Sequence, residues 1–317
     1  MAENSNIEWT HHTFNPWEGC QKVGPGCDNC YAEARDIRFT GGTHWGPGSP
    51  RRRTSAANWR KPLAWDRAAA LAGERHRVFC ASLADVFDNA VDPAWREDLW
   101  RLIETTPNLD WMLLTKRPGN IAKMLPPSWG AGWHNVWLGC TVVNQEEADR
   151  DVPKLLAVPA AIRFLSMEPL LGPVDMTEVA QQRPDLCASV VYDALRGTGG
   201  FGECLGRVDL VIVGGESGKK ARPMHPDWAR SLRDQCQAAG VAYFFKQWGE
   251  WLPGQNDIHP KWDGRRVAHW QDGGWGHRDV SRQNYCTWDD AGTQRSGLVT
   301  DHDFFTVHRW AQHVGKK

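Results

Sequence analysis

Three cysteines lie close together near the amino terminus, in the spacing C-x6-C-x2-C: Cys20, Cys27 and Cys30. Glycine and proline residues between them allow a loop to wrap closely around a ligand. Clustered cysteines outside a secreted disulfide framework indicate metal binding or catalysis. Three thiolates suit a 4Fe–4S cluster in which one iron has no protein ligand.

An open iron has a specific chemical use. S-adenosylmethionine can chelate it through its amino and carboxylate groups, and an electron from the cluster can then cleave the sulfonium bond. Four protein ligands would close the site and leave only electron transfer or a structural role. The cysteine spacing therefore favours a 4Fe–4S cluster that acts on S-adenosylmethionine.

Zinc, disulfides and unreactive thiols are the alternatives for this cluster of cysteines. Structural zinc usually has four ligands, and a histidine could complete the set: His11, His12 or His44. Three other cysteines fall in strand or helix patterns and are expected in the core: Cys80, Cys140 and Cys236. The remaining three could hold a second metal: Cys187, Cys204 and Cys286.

Short apolar runs recur along the chain and indicate the elements that must position the cysteines. Each run is apolar on both faces, as in a strand buried within a parallel sheet. The predicted strands are Val78–Leu83, Trp111–Leu114, Val136–Cys140, Ile162–Leu165, Leu210–Val213 and Val241–Phe245. Ile7–Thr10 is a candidate first strand, which gives six or seven strands.

Helical patterns fill the intervals between these runs. They are Tyr31–Phe39, a helix capped by Asp92-Pro93, a helix from Gln145 towards Leu156 broken near Pro153, and a helix from Pro226 to Gly240. This alternation predicts βαβ units and a parallel sheet.

Polar residues follow strand after strand, where an α/β sheet or barrel places its site. Lys116, Glu168, Glu216 and Lys246 are expected at one mouth, although ion pairs at the rim are the alternative. The side chains expected to orient a substrate or move protons are Lys116, Glu168, Lys246 and Gln247.

The amino-acid composition of the chain changes near residue 250. Residues 1–250 are expected to form the α/β domain, with a cluster loop at residues 15–31, a long loop at 40–60 and an insertion at 183–207. Residues 251–317 are rich in tryptophan and glycine and contain a predicted hairpin. We expect them to form a small subdomain that covers the mouth.

Composition limits the classes of protein that remain. A net charge of −1 gives no general sign of nucleic-acid binding. The local run Arg51-Arg52-Arg53 is either a solvated loop or a phosphate contact. The 19 tryptophans are either base-stacking platforms or wedges between loops. No apolar run reaches the roughly 18 residues of a membrane span and no signal peptide is evident, so a cytoplasmic protein without a membrane partner is expected.

Several stretches resemble the phage Gp37/Gp68-like proteins, a family of unknown function with radical S-adenosylmethionine features. They include Phe14–Cys20, Gly26–Ala32, Ser82–Phe87, Leu114–Pro118, Phe164–Gly172, Gly214–Gly218, Arg222–Met224 and Phe244–Gly249. The resemblance covers roughly residues 5–250. It implies a partial (β/α) barrel of six or seven parallel strands with the cluster loop after the first strand.

The resemblance also implies which residues bind the cofactor. They are Tyr31, Ser82, Asp85, Ser166, Gly214, Gly215, Glu216 and Ser217. In radical S-adenosylmethionine enzymes the commonest spacing is C-x3-C-x2-C, with an aromatic residue before the last cysteine and a Gly-Gly-Glu stretch after the second strand. Here the first gap is six residues, Asn29 precedes Cys30, and Gly214-Gly215-Glu216 follows a late strand, so Ser82 and Asp85 are the positional alternatives.

The predicted function is a radical S-adenosylmethionine enzyme. It would generate a 5′-deoxyadenosyl radical with a 4Fe–4S cluster, draw electrons from an external donor, and act on a nucleotide or nucleic acid. One alternative is a nucleic-acid-binding or repair-associated protein with a structural iron–sulfur or zinc site. An electron-transfer protein is the other, but it needs no polar mouth.

Overall fold

Seven parallel strands form the main sheet and follow one another across it in chain order. The computed structural model describes residues 9–183, 188–199 and 206–253, together with four short strands between residues 266 and 295. The seven strands are β1 (His12–Thr13), β2 (His76–Cys80), β3 (Leu109–Thr115), β4 (Val136–Thr141), β5 (Ile162–Met167), β6 (Leu210–Gly214) and β7 (Ala242–Gln247).

Helices connect these strands. The longer ones are α1 (Tyr31–Thr40), α2 (Lys61–Ala72), α3 (Pro93–Glu104), α4 (Gln145–Leu156) and α5 (Pro226–Ala239). Short helical turns lie at Pro25–Cys27, Ala56–Trp59, Pro118–Asn120, Ile121–Met124 and Pro127–Trp129. Local sequence fixes several ends: the Asp92 carboxylate accepts from Ala94 N (2.9 Å), the Asn144 side chain accepts from Glu147 N (2.9 Å), and α5 ends at the left-handed Gly240.

The sheet curls into a half-barrel. Successive parallel strands joined by crossovers of one hand place their helices on the same face of the sheet. Successive side chains along each strand point to opposite faces of the sheet, so alternate residues enter two different cores. Val78 and Cys80 belong to the larger core, which the helices share, whereas Phe79 between them belongs to the smaller core on the other face.

The smaller core fills the concave face of the half-barrel. Its buried members are Trp9, Phe79, Met112, Trp137, Phe164, Leu210, Ile212 and Phe244. Gly139 leaves space for the Phe164 ring, since a Cβ at that position would overlap the ring. This packed layer forms the floor of an open space that lies nearer the carboxyl ends of the strands.

Smaller sheets are present in addition to the main sheet. Trp17–Glu18 pairs with Arg52–Arg53. An antiparallel sheet before β6 contains Val179–Arg183, Ala188–Asp193 and Thr198–Gly199. Further along, Trp251–Pro253, Arg266–Gln271 and Gly274–Arg278 form a third sheet, and Thr287–Trp288 pairs with Gln294–Arg295.

The α/β class and the parallel sheet are confirmed, and six predicted strands overlap β2 to β7. The position of the first strand was wrong: β1 begins at His12, because His12 and Thr13 pair with Val78 and Phe79 while Trp9 packs into the concave core. The predicted break near Pro153 was also wrong, since α4 runs through this buried proline to Leu156 and loses only one internal hydrogen bond.

The outer regions contain further short elements. The 40–60 loop contains a strand and a short helix, the insertion starts at Val179, and the C-terminal hairpin pairs Arg266–Gln271 with Gly274–Arg278. Coverage of the mouth by residues 251–317 stays a prediction. Cys187, Cys204 and Cys286 lie outside the described residues. Among the described helices, none combines the length and apolar character that crossing a membrane requires.

Candidate functional site

A cavity of about 560 Å³ opens at the carboxyl ends of the strands. Its floor includes Trp9 and Phe79 of the concave core. Ten of the predicted site residues line it: Cys20, Cys27, Cys30, Tyr31, Ser82, Asp85, Lys116, Ser166, Glu168 and Lys246. The fold thus brings the cluster loop and the ends of β2, β3, β5 and β7 together around one space.

The first part of the cluster loop is fastened to the segment after β2. Asn15 is buried; its side-chain oxygen accepts from Leu83 N (2.8 Å) and its amide donates to Ser82 Oγ (3.0 Å). Gly19 N donates to Leu83 O (3.0 Å), and Cys20 O accepts from Gly46 N (2.9 Å). These contacts hold Cys20 against the rim of the half-barrel.

The second part of the loop is fastened to the segment after β6. Arg222 donates to Pro25 O (2.8 Å), to Asp28 Oδ2 (2.9 Å) and to both oxygens of buried Glu216. Asn29 donates to Glu216 Oε2 (3.0 Å). Burial alone would raise the pKa of Glu216, but the hydrogen bonds from Arg222 and Asn29 outweigh it and lower that pKa. Glu216 is therefore a charged carboxylate that fixes the cluster loop through Asn29 and Arg222.

Cys20 faces a buried arginine. Arg117 Nη1 lies 3.5 Å from Cys20 Sγ and 2.9 Å from Asp85 Oδ2, and Nη2 donates to Gln21 O (3.0 Å). Burial raises the pKa of the Cys20 thiol to about 11 despite the opposing charge of Arg117. Arg117 is the neighbouring cation and hydrogen-bond donor that favours the thiolate form of Cys20.

Asp85 organises the segment after β3. Its carboxylate accepts from Thr115 Oγ1 (2.7 Å), from Lys116 N (3.0 Å) and from Phe87 N (2.9 Å), in addition to Arg117. With these donors in place, the carboxylate is already well satisfied. The structure therefore gives Asp85 a positioning role at the edge of the cavity.

Two lysines and a carboxylate lie within the cavity itself. Lys246 Nζ pairs with Glu168 Oε1 (2.7 Å), and Ser166 Oγ donates to Glu168 Oε2 (3.1 Å). Lys116 Nζ donates to Thr141 Oγ1 (3.3 Å). Part of the predicted rim set is therefore an ion pair, whereas Lys116 has no carboxylate partner among the described residues.

Tyr31 lies at the rim, directly after Cys30. Its hydroxyl donates to Ser82 O (2.6 Å). Enclosure of this end of the ring raises the pKa of Tyr31 to about 12, although 61% of the residue is exposed. The ring thus forms one wall of the cavity and remains a neutral donor at ordinary pH.

Five predicted residues do not line the cavity: Gly214, Gly215, Glu216, Ser217 and Gln247. Gln247 donates to Ser217 Oγ (3.1 Å), so these two side chains hold each other. A Cβ on Gly214 would lie 2.7 Å from Glu168 Oε1, and one on Gly215 would overlap Trp248 O. Packing between neighbouring strand ends is thus a sufficient reason for both glycines.

Each arginine of the 51–53 run has a carboxylate partner, although Arg52 is also exposed to solvent. Arg51 forms a buried ion pair with Asp88 (2.7 Å), Arg52 pairs with Glu18, and Arg53 pairs with Asp98 (2.8 Å) and lies over the Trp59 ring. Several tryptophans are packing residues, since Trp100, Trp129 and Trp133 contact one another. Trp9 and Trp45 line the cavity, and base stacking by tryptophans stays a prediction.

The histidines considered as zinc ligands do not complete a site. His12 Nε2 lies 3.1 Å from His76 Nδ1, and His11 accepts from Arg77 N, all at the amino ends of the strands. The His44 ring lies 3.2 Å from Pro50 O. Within the described part of the chain, no three Cys, His, Asp or Glu side chains form a group that could hold a single metal ion.

Comparison with known proteins gives a family. The model of a family described as "Protein of unknown function (DUF5131)" matches residues 4–280. The chain belongs to the DUF5131 family. Neither the curated proteins nor the solved structures gave a match. The family description names no activity, so the resemblance to Gp37/Gp68-like proteins and to radical S-adenosylmethionine enzymes stays a prediction.

Four residues of this DUF5131 protein were missed as parts of the site. Asn15, Asn29, Arg117 and Arg222 fix the cluster loop through the contacts above. All four lie in stretches that carry the resemblance, and Asn29 and Arg117 also lie directly beside predicted site residues. A polar residue adjacent to a cysteine or to a strand-end lysine was the available signal.

Proposed function

We propose that this chain is a radical S-adenosylmethionine enzyme whose 4Fe–4S cluster is held by Cys20, Cys27 and Cys30. One observation carries the proposal: these cysteines share a cavity with polar strand-end residues at the carboxyl edge of a parallel half-barrel. Sites in folds of this kind form at that edge, because the loops that follow the strands meet there.

The donor set fits a cluster better than a single ion. Each thiolate of a four-iron cluster ligates a different iron, so the three sulfur atoms need not converge on one point. A structural zinc ion usually takes four ligands, whereas this loop offers three cysteines. Three cysteines on one loop would leave the fourth iron open, and a second loop tie through Arg222 keeps the cysteine spacing fixed.

When bound, the cluster would supply the electron that cleaves the sulfonium bond of S-adenosylmethionine, with an external donor as its source. The residues of the chain would bind and orient the cofactor. Ser166 is the anchor we favour, because it lines the cavity, whereas Asp85 already accepts from Thr115, Lys116 and Arg117 and Glu216 is engaged by Arg222. The Tyr31 ring and the Ser82 backbone form the adjacent rim.

The character of the cavity supports a nucleotide or nucleic-acid substrate. Tyr31 and Trp45 offer ring surfaces that can stack on a base. Lys116 offers a cation for a phosphate or carboxylate group. Packed side chains below the cavity would keep water away from the reacting atoms.

The test combines metal analysis with product formation. The protein is reconstituted anaerobically with iron and sulfide and then given dithionite and S-adenosylmethionine. We expect about four irons per chain and formation of 5′-deoxyadenosine, with both lost in Cys27→Ala. Cys236→Ala, which removes a buried cysteine of α5 that is not among the cavity-lining residues, is the matched control and should retain both.

Other outcomes separate the alternatives. Stoichiometric zinc without S-adenosylmethionine binding would overturn the proposal in favour of a structural metal site in a nucleic-acid-binding protein. A complete cluster that never cleaves the cofactor would favour electron transfer. Loss of iron in both cysteine variants would show that the assay reports folding and not ligation.

A further inference from the structure

Arg117 is a buried cation that contacts a sulfur atom of the proposed cluster site. Its Nη1 lies 3.5 Å from Cys20 Sγ, and its Nη2 donates to the main-chain oxygen of the next residue, Gln21 (3.0 Å). Only 9% of the side chain is exposed. One guanidinium therefore holds both the ligand atom of Cys20 and the backbone that carries it.

The position of this guanidinium does not depend on the cysteine. Asp85 pairs with Arg117 (2.9 Å) and is itself fixed by Thr115 Oγ1 and by Lys116 N. Asp88 lies on the other side, 3.9 Å from Arg117 Nε. A cation buried in this way needs such partners, and they aim Nη1 at Cys20 before any cluster is present.

We propose that Arg117 is a positioning residue that raises the reduction potential of the cluster by hydrogen-bonding the Cys20 thiolate. This inference rests on the proposed cluster. Reduction adds one negative charge to the cluster, and a nearby cation stabilises the reduced form more than the oxidised form. Hydrogen bonds to ligand sulfurs and local charge are the means by which proteins set these potentials.

The other tie of the cluster loop provides a matched comparison. Arg222 is also a partly buried arginine paired with a buried carboxylate, and it also holds loop backbone through Pro25 O. Its contacts within the described residues are with oxygen atoms of Pro25, Asp28 and Glu216. Replacing Arg222 therefore removes a loop tie without removing a donor to sulfur.

The experiment measures the reduction potential of the reconstituted protein by titration followed with electron paramagnetic resonance. Arg117→Gln removes the charge and keeps an N–H donor. Arg117→Lys keeps the charge and removes the planar guanidinium, whose two nitrogen atoms contact Cys20 and Gln21. Arg222→Gln is the comparison variant. We expect Arg117→Gln to shift the potential to more negative values by about 59 mV, a tenfold change in the one-electron equilibrium. Arg117→Lys should shift it less, and Arg222→Gln, which loosens the loop without removing a donor to sulfur, should also shift it less than Arg117→Gln.

The outcomes distinguish this inference from the proposed function. A wild-type protein that assembles no iron–sulfur cluster overturns both. A wild-type cluster whose potential is unchanged in Arg117→Gln overturns the inference alone, as does an equal shift in Arg222→Gln. If Arg117→Gln loses its cluster, Arg117→Lys decides: a negative shift supports the role, and a wild-type potential overturns it.

Discussion

The two ends of the half-barrel use reactive side chains in opposite ways. At the amino ends of the strands, His11 stacks on His76 with ring centroids 4.9 Å apart, and His12 stacks on Trp65 at 4.3 Å. At the carboxyl ends, lysines, carboxylates and thiols surround an open cavity. The amino end thus packs its titratable groups against one another, whereas the carboxyl end keeps space between them.

This contrast shows that residue type alone does not make a site. Burial lowers the pKa of His12 to about 4, with further lowering from the charges of His76 and His11. Neutral, stacked imidazoles contribute packing in the same way as other rings. Around the cavity, in contrast, ion pairs and loop ties hold side chains in place without filling the space between them.

The largest expected effect tests whether the cavity wall depends on its buried ion pair. Asp85→Ala leaves Arg117 as a buried cation without its main partner and should lower the free energy of unfolding by about 3–5 kcal/mol. Urea unfolding followed by circular dichroism measures it. Asp98→Ala breaks a more exposed arginine pair and should cost about 0–1 kcal/mol; similar losses in both would contradict the comparison.

The floor between the two ends should be the next most sensitive region. Gly139→Ala forces a methyl group into the Phe164 ring and should cost about 1–3 kcal/mol in urea unfolding. The double variant Gly139→Ala/Phe164→Leu should recover part of this loss. Gly119→Ala, where a Cβ meets only Lys154 Cδ at 3.6 Å, serves as the control.

Burial of His12 should make the free energy of unfolding depend on pH. His12 has a pKa of about 4 in the folded state and an ordinary value near 6.5 when unfolded. The unfolded chain therefore binds the extra proton between these values, and stability falls as the pH drops from 6.5 to 4, by at most about 1.4 kcal/mol per pH unit.

His12→Gln should flatten this slope in unfolding titrations between pH 4 and 7. His134→Gln replaces an exposed histidine and should retain the wild-type slope. An unchanged slope in His12→Gln would mean that the amino-end histidines are protonated in the folded protein, which the stacked arrangement argues against.

The smallest expected change in stability is at Lys116. It has no ion pair among the described residues, so Lys116→Met should change the free energy of unfolding by no more than about 0.5 kcal/mol. If the cavity is the active site, the same variant should slow substrate-dependent turnover of S-adenosylmethionine. The exposed Lys123→Met is the control for both measurements, and a large loss of stability at Lys116 would show a structural role.

Much of the architecture could be predicted because it depends on local patterns. Runs such as Leu210–Val213 are apolar on both faces, so they indicate buried parallel strands wherever they lie. Asp92-Pro93 and Asn144 fix helix starts through their own backbones. The first strand was misplaced because β1 has only two residues, too few for a pattern, and its position depends on pairing with Val78 and Phe79.

The candidate site was predicted as a set of residues but not as a set of contacts. The strand-end rule placed Ser82, Lys116 and Glu168 at one edge, and they line one cavity. The resemblance to radical S-adenosylmethionine enzymes also made Glu216 a cofactor-binding residue, although Arg222 and Asn29 engage it. Residues 187, 204 and 286 and the cover over the mouth stay predictions.

The strand–helix alternation, the cysteine spacing and the polar strand ends can be read from the amino-acid sequence, because each depends on neighbours along the chain. Which charges pair depends on the fold. Arg117 meets Cys20 across 97 positions and Arg222 meets Asp28 across 194. Such pairs depend on the curvature of the sheet and the path of the loops, which bring together atoms whose separation in sequence carries no periodic signal.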